Sequence, residues 1–253
     1  MNPTTVAMKT PSLTVALTLA LLLAPAAAQA ACRDLVQDGR GFTLCTAVIG
    51  QDDLRLFYAA ADGRPYASFE RVKAAIAPAT LGFAMNAGMY HPDRRPVGLY
   101  LENGVEQGRL VTSDGPGNFG LLPNGVFCVA PDRYAVIETN AYAKAAPACT
   151  YASQSGPMLV IGGKLHPKFL PESDSRYIRN GVGVAADGQT AYFLISQSRV
   201  NFTEFATVFK DVLNVPDALY FDGSISRLYA PELGRDDPGF AMGPMVGTAV
   251  PAR

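Results

Sequence analysis

From residue 43 to residue 250 the chain repeats one pattern: a short apolar run, then a pair of residues suited to a tight turn. Such spacing leaves little room for long helices and favours strands joined by hairpins. "TLCTAVI" (43–49), "LRLFYAA" (54–60), "TLGFAMN" (80–86), "DALYF" (217–221) and "GPMVGTAV" (243–250) read as strands. Three hairpins are expected: 118–130 turning at Asn124-Gly125, 158–166 turning at a Gly pair, and 181–196 turning at Asp187-Gly188. Asn-Gly, Gly-Gly and Asp-Gly supply the positive φ angles that tight hairpin turns demand. Two segments have helical spacing instead. In 66–76 the residues Phe69, Val72 and Ile76 share a face, and in 202–213 Phe202, Phe205, Phe209, Val212 and Leu213 form one stripe. The expected class is α+β (mixed α/β), a sheet-rich sandwich with hairpins and few helices, in a single domain over 31–253.

Residues 1–30 stand apart. Lys9 precedes "LTVALTLALLLAPAAA", and Ala28-Gln29-Ala30 leads into Ala31. A basic residue, a short apolar segment and an A-x-A site describe a secretory signal peptide, too short to span a bilayer comfortably. The mature chain is therefore expected to be periplasmic or secreted, with no integral membrane segment after cleavage. A lipoprotein signal would place a Leu-like residue three positions before Cys32, where Gln29 stands.

Cys32, Cys45, Cys128 and Cys149 form an even set in a chain expected to meet an oxidising compartment. Of three connectivities, local pairing (Cys32 with Cys45, Cys128 with Cys149) is the simplest. No C-x-x-C spacing suggests a zinc ribbon or a redox centre. The 21 basic and 22 acidic side chains give no basic stripe for nucleic acid and no polybasic membrane anchor. The two histidines, His91 and His166, each precede proline and form no H-E-x-x-H pair, which argues against a histidine-built zinc site. A serine hydrolase centred on Ser155 or Ser224 would lack the G-x-S-x-G elbow.

Four polar clusters interrupt the apolar runs. They are Asn86-Ala87-Gly88-Met89-Tyr90, Ser155-Gly156-Pro157, Arg179-Asn180-Gly181 (with Arg176 nearby) and Asp222-Gly223-Ser224. Each could be only a turn, and Arg179 could serve only a surface ion pair. Together they suit an anionic sugar, because arginine forks onto phosphate oxygens while amides, carboxylates and hydroxyls hold sugar hydroxyls. Glu204 has two readings as well. With Asn201 it fits a capping box at the start of the 202–213 helix, and it could also face a cleft.

These clusters, in their order, resemble the phosphodiester glycosidase family typified by N-acetylglucosamine-1-phosphodiester α-N-acetylglucosaminidase, in its short bacterial exported branch. The likeness runs from "FAMNAGMYHPDRRPVGLYLENG" through "DGPGNFGLLPNGVF", "SQSGPMLVIGGKLHP" and "RNGVGVAADG" to "ALYFDGSISRLYAPEL". The resemblance implies hydrolysis of the bond between a sugar and a phosphodiester. It implies catalytic roles for Asp222, Arg179 and Glu204, and substrate contacts from Asn86, Gly88, Ser155, Gly156, Asn180, Gly223 and Ser224. The family's Asp-Gly-Gly-Gly-Ser loop falls on Asp222-Gly223-Ser224-Ile225-Ser226, where Ser224 and Ile225 replace two glycines. That change keeps alive a non-catalytic periplasmic module that binds glycans through the same cleft. No cofactor is implied, although a divalent cation beside Asp222 is compatible with the residues present. The expected partner is a sugar-phosphate or glycan substrate.

Overall fold

The structure, a computed structural model, describes residues 31–252 together with Met1. The rest of the expected signal peptide lies outside the described residues. Seventeen strands follow in chain order: β1 (Cys32–Gln37), β2 (Arg40–Val48), β3 (Asp53–Phe57), β4 (Thr80–Asn86), β5 (Tyr100–Glu102), β6 (Val105–Gly108), β7 (Gly125–Val129), β8 (Tyr134–Glu138), β9 (Tyr151–Ser155), β10 (Met158–Ile161), β11 (Lys164–Leu165), β12 (Asn180–Val184), β13 (Thr190–Ser196), β14 (Asp217–Asp222), β15 (Leu228–Ala230), β16 (Arg235–Asp236) and β17 (Met245–Val250). Three short α-helices interrupt them: α1 (Phe69–Ile76), α2 (Thr139–Ala145) and α3 (Phe202–Thr207). The sheet-rich mixed class expected from the turn pattern is what forms.

The strands make three sheets in the orders β1-β2-β13-β12-β14-β10-β11, β16-β15-β4-β17-β3 and β6-β5-β9-β7-β8. Every pairing among the described strands is antiparallel, as hairpin connections require. The sheets share one core. Phe83 of β4 packs tilted against Phe193 of β13 at 5.2 Å, Phe127 of β7 meets Phe193 edge-on at 5.6 Å, and Phe127 reaches Phe221 of β14 at 6.4 Å. Each outer face has its own helix. Phe205 of α3 packs with Leu194, Ala218 and Tyr220, Phe69 and Val72 of α1 pack with Leu81 and Ala84, and Tyr142 of α2 packs with Val126 and Ala152. β13 and β14 are thus buried on both faces, with Phe193, Leu219 and Phe221 toward the common core and Leu194, Ala218 and Tyr220 under α3. That double burial is why "DALYF" is apolar without alternation.

Two hairpins form as the turn pairs predict. Gly162-Gly163 joins β10 to β11 with φ of 53° and 76°, and Asp187-Gly188 lies in the β12–β13 connection with Gly188 at 75°. The hairpin expected over 118–130 does not form. Only Gly125–Val129 is a strand, and it pairs with β8 and β9. Pro123 has no N–H to give a ladder, and the Asn124 amide donates to Phe119 O at 3.0 Å, so 118–124 curls over the sheet end. The long helix over 202–213 is α-helical only to Thr207. It continues as a π-helical turn, Val208–Val212, in which Leu213 N donates to Val208 O five residues back. Both disulfides take the local pairing, Cys32–Cys45 and Cys128–Cys149.

Candidate active site

The sheets bring the four polar clusters to one end of the molecule. Asn86 closes β4, Ser155 closes β9, Asn180 opens β12 and Asp222 closes β14. Asn180 is the ladder partner of Asp222, and the register shifts between Asn180 and Gly181. Asp222 Oδ1 accepts from the backbone N–H groups of Gly223 (2.6 Å) and Ser224 (2.8 Å), which fixes the carboxylate. Burial raises its pKa, and backbone hydrogen bonds offset only part of that.

Beneath Asp222, two fully buried amides clasp each other across sheets. Asn86 Nδ2 donates to Asn180 Oδ1 at 3.1 Å, and Asn180 Nδ2 donates to Asn86 O at 2.8 Å. The pair also grips the loop after Asp222: Arg227 N donates to Asn86 Oδ1 at 3.1 Å, and Ser226 Oγ donates to Asn180 Oδ1 at 3.3 Å. Ser155 is buried as well, its hydroxyl donating to Phe221 O at 3.0 Å. Its hydroxyl is therefore not placed as a nucleophile. Gly88 (φ 140°) lies against Ser153, where a Cβ would stand 2.9 Å from its Oγ. A Cβ on Gly156 would stand 2.6 Å from Asn124 Cβ, so this step too is a packing contact. Asn86, Asn180 and Ser155 thus brace the Asp222 loop and the strand that leads into it, while Gly88 and Gly156 are close packing contacts of neighbouring segments.

Arg179 lies on the other face of the strand from Asn180. Fully buried, it donates through Nε to Val200 O (2.9 Å), through Nη1 to Tyr220 Oη (3.2 Å) and through Nη2 to Ser175 O (2.8 Å). Its guanidinium sits 3.7 Å from the centre of the Phe202 ring. Burial lowers its pKa, with the Tyr220 hydroxyl opposing. Glu204 sits at the start of α3 in a complete capping box with Asn201, and it also ion-pairs with Arg176 (2.7 Å) and Arg40 (2.8 Å). Burial would raise its pKa, but the Arg176 and Asn201 hydrogen bonds and the Arg40 charge bring the net shift below the ordinary value. His166 is buried and stacked on Phe169, its two ring nitrogens bonded to Leu122 O and Lys168 N.

A cleft of 640 Å³ opens above Asp222, walled by Tyr90, Arg94, Phe119, Ser224 and Phe240 among others. Asp222 is the one carboxylate among its described lining residues. Arg94 stands 5.4 Å from the Tyr90 ring and has no ion-pair partner among the described residues. Burial, then the Asp222 charge, pushes the Tyr90 phenol up to about 12, so it remains a proton-bearing donor at neutral pH. Tyr90 ends the first of the four polar clusters and does line the cleft, whereas Arg94, Phe119 and Phe240 were not singled out by the sequence. They come from loops with no periodicity, and only the positive φ of Arg94 (75°) marks its turn as unusual. Among the described residues no three His, Cys, Asp or Glu side chains gather as a metal site.

Comparison with known proteins gives the family and the fold. The model of the phosphodiester glycosidase family matches residues 79–246, which include every one of the site residues above. An uncharacterised Escherichia coli (strain K12) protein, YigE, is 38% identical over 177 residues, covering 70% of this chain and 69% of YigE. In structure, the chain is similar to the zebrafish N-acetylglucosamine-1-phosphodiester alpha-N-acetylglucosaminidase catalytic domain auto-inhibited by its pro-peptide. The TM-score is 0.57 at 13% identity, over 88% of this chain and 82% of that one. A candidate exported protein of Burkholderia pseudomallei K96243 aligns with TM-score 0.53 at 11% identity, over 84% and 74%. At such identities these two likenesses speak to the fold.

Proposed function

Because the chain belongs to the phosphodiester glycosidase family, we propose that it hydrolyses the glycosidic bond of a sugar-1-phosphodiester, with Asp222 as the catalytic carboxylate. One observation supports this over ordinary glycoside cleavage: the cleft offers a single carboxylate among the described lining residues. Cleaving a sugar from an alcohol ordinarily takes two, one to protonate the departing oxygen and one to assist at the anomeric carbon. A phosphate departs without being protonated first, so one carboxylate is enough.

In this reaction the bond between the anomeric carbon and the phosphate oxygen breaks, and its electron pair leaves with the phosphate. Water adds to the anomeric carbon and gives its proton to Asp222. The same carboxylate lies beside the positive charge that builds on the sugar ring. Raising the pKa of Asp222 by burial strengthens it as a base. Tyr90, Phe119 and Phe240 offer aromatic faces to the sugar, and Tyr90 offers a hydroxyl. Arg179 and Glu204 act on this centre from a distance, Arg179 through Tyr220 and Glu204 by anchoring α3. The two disulfides are consistent with a periplasmic or extracellular chain, and residues 1–30 as a cleaved signal peptide complete that picture.

The test is product release by mass spectrometry from a panel of sugar-1-phosphodiesters, with Asp222→Asn as control. Free sugar from the wild type and none from the variant supports the assignment. Saturable binding without cleavage by either protein would instead favour the glycan-binding module, with Ser224 and Ile225 in place of two family glycines as its cause.

A further inference from the structure

The loop from Asp222 to Ser226 is a ridge with a cavity on each side. Opposite the aromatic cleft lies a second cavity of 440 Å³, lined by Tyr177, Ile178, Arg199, Gly223, Ser224 and Ser226. Ser224, on the exposed crest, lines both. The chemistry of the two sides differs. The first holds Asp222, three aromatic rings and Arg94, so cation and carboxylate face the same space. The second has no carboxylate among its described lining residues and presents hydroxyls and a guanidinium.

Two cations serve this second cavity without an acid to neutralise them. Arg199 is exposed and forms no ion pair or hydrogen bond among the described residues. Arg179 lies below the floor and likewise has no carboxylate partner among the described residues. It spends three hydrogen bonds on Val200 O, Tyr220 Oη and Ser175 O, whereas a guanidinium carries five N–H groups. Its link to the cavity is short. Tyr220 Oη, which accepts from Arg179, fills the space where a Gly223 Cβ would sit, 2.0 Å from that position. A buried, unneutralised guanidinium projects its field further than one in water, and the Tyr177 ring 5.4 Å from it is part of this cavity's lining.

We propose that the second cavity is the phosphate-side subsite. It receives the anionic oxygens of the phosphodiester on Arg199, within the field of Arg179, while the sugar lies across the ridge in the aromatic cleft. This rests on the hydrolase reading for its role in turnover. Its anion chemistry stands on the two unneutralised arginines and the carboxylate-free lining. Specificity then divides at Ser224: sugar identity is read on the Tyr90 side, and the negative charge of the leaving group on the Arg199 side.

Inorganic phosphate, the simplest analogue of the leaving group, tests the assignment by calorimetric titration of the purified protein. Arg199→Ala should weaken phosphate binding about tenfold, the loss of one charge-assisted contact. Arg94→Ala, on the sugar side, should change it less than about twofold, and Arg199→Lys should recover part of the loss because charge is retained without the fork. Exposure of Arg199 leaves folding out of the comparison. Phosphate affinity unchanged in Arg199→Ala, an equal loss in Arg94→Ala, or no saturable binding by the wild type would overturn the subsite. Turnover separates this from the broader reading. If no phosphodiester is cleaved yet phosphate binding needs Arg199, the hydrolase reading falls and the anion subsite stands. If cleavage proceeds with a KM indifferent to Arg199→Ala, the subsite falls and the hydrolase stands.

Discussion

Asp222 is held in a state that costs the fold something. Burial raises its pKa, so between the ordinary carboxylate range and that raised value the native state binds more protons than the unfolded chain. Stability therefore falls as pH rises through the window. Asp222→Asn should remove that penalty: its thermal midpoint should exceed the wild type at pH 7 and converge with it near pH 3, while cleavage drops at least about a hundredfold. The acid limb of the wild-type pH–rate profile should fall above the usual aspartate value of about 4. Gly223 is a second residue whose identity the geometry dictates. Gly223→Ala would drive a methyl into Tyr220 Oη, lifting the loop, and activity should be lost. Adding Tyr220→Phe removes the clashing oxygen and should restore part of it, a coupling that a double-mutant cycle reads directly. At this scale the sequence was informative in one respect and silent in another. An apolar strand ended by Asp-Gly-Ser pointed to Asp222, which does line the cleft. The amides and hydroxyl of Asn86, Asn180 and Ser155 were legible as polar residues at strand ends, but not as ones that turn inward. Which way a strand-end side chain faces depends on the partner sheet, and Asn86 meets Asn180 across 94 residues of chain.

At the scale of elements, the helix opening at Phe202 was visible from its cap and its stripe, and the capping box at Asn201 and Glu204 formed as the pattern suggests. The π-helical turn that follows was not visible. Phe205 and Phe209 keep the same spacing in either helix, and the wider turn emerges only where the chain must drop from α3 into β14. The failed hairpin at 118–124 has a related cause. Asn-Gly is a strong turn signal, but its neighbour Pro123 cannot donate to a ladder, and β9 competes successfully for the edge of β7. Glu204 carries the prediction for this scale. Glu204→Gln should lower stability by about 1 kcal/mol through the weakened box and ion pairs, with kcat/KM within about threefold of wild type. Since the Glu204 pKa is depressed, its contribution is present above the ordinary glutamate range and lost as pH falls through the depressed value, so wild type and variant should converge in strong acid. A hundredfold loss of kcat with unchanged stability would make Glu204 catalytic after all.

At the scale of the whole molecule, the three sheets are bound by one aromatic cluster, and Phe127 touches rings from two strands of the largest sheet. Phe127→Ala should cost about 3–5 kcal/mol. Near- and far-ultraviolet circular dichroism should still report one coincident transition, because all three sheets pack on this shared cluster. Two separated transitions would refute the shared core. The order of strands within the second sheet has a consequence for how the protein is made. β17 lies between β3 and β4, bonded to both, although it follows every other described strand in the chain. Residues 245–250 are synthesised after every other described strand, yet they occupy an interior place that must stay open until they arrive. A growing chain therefore cannot complete the sheet that carries Asn86, nor seat the loop that Asn86 grips. The Asp222 loop is therefore seated only once β17 has docked, and a polypeptide cut short before Met245 should be recognised by proteases as unfinished rather than persist partly folded.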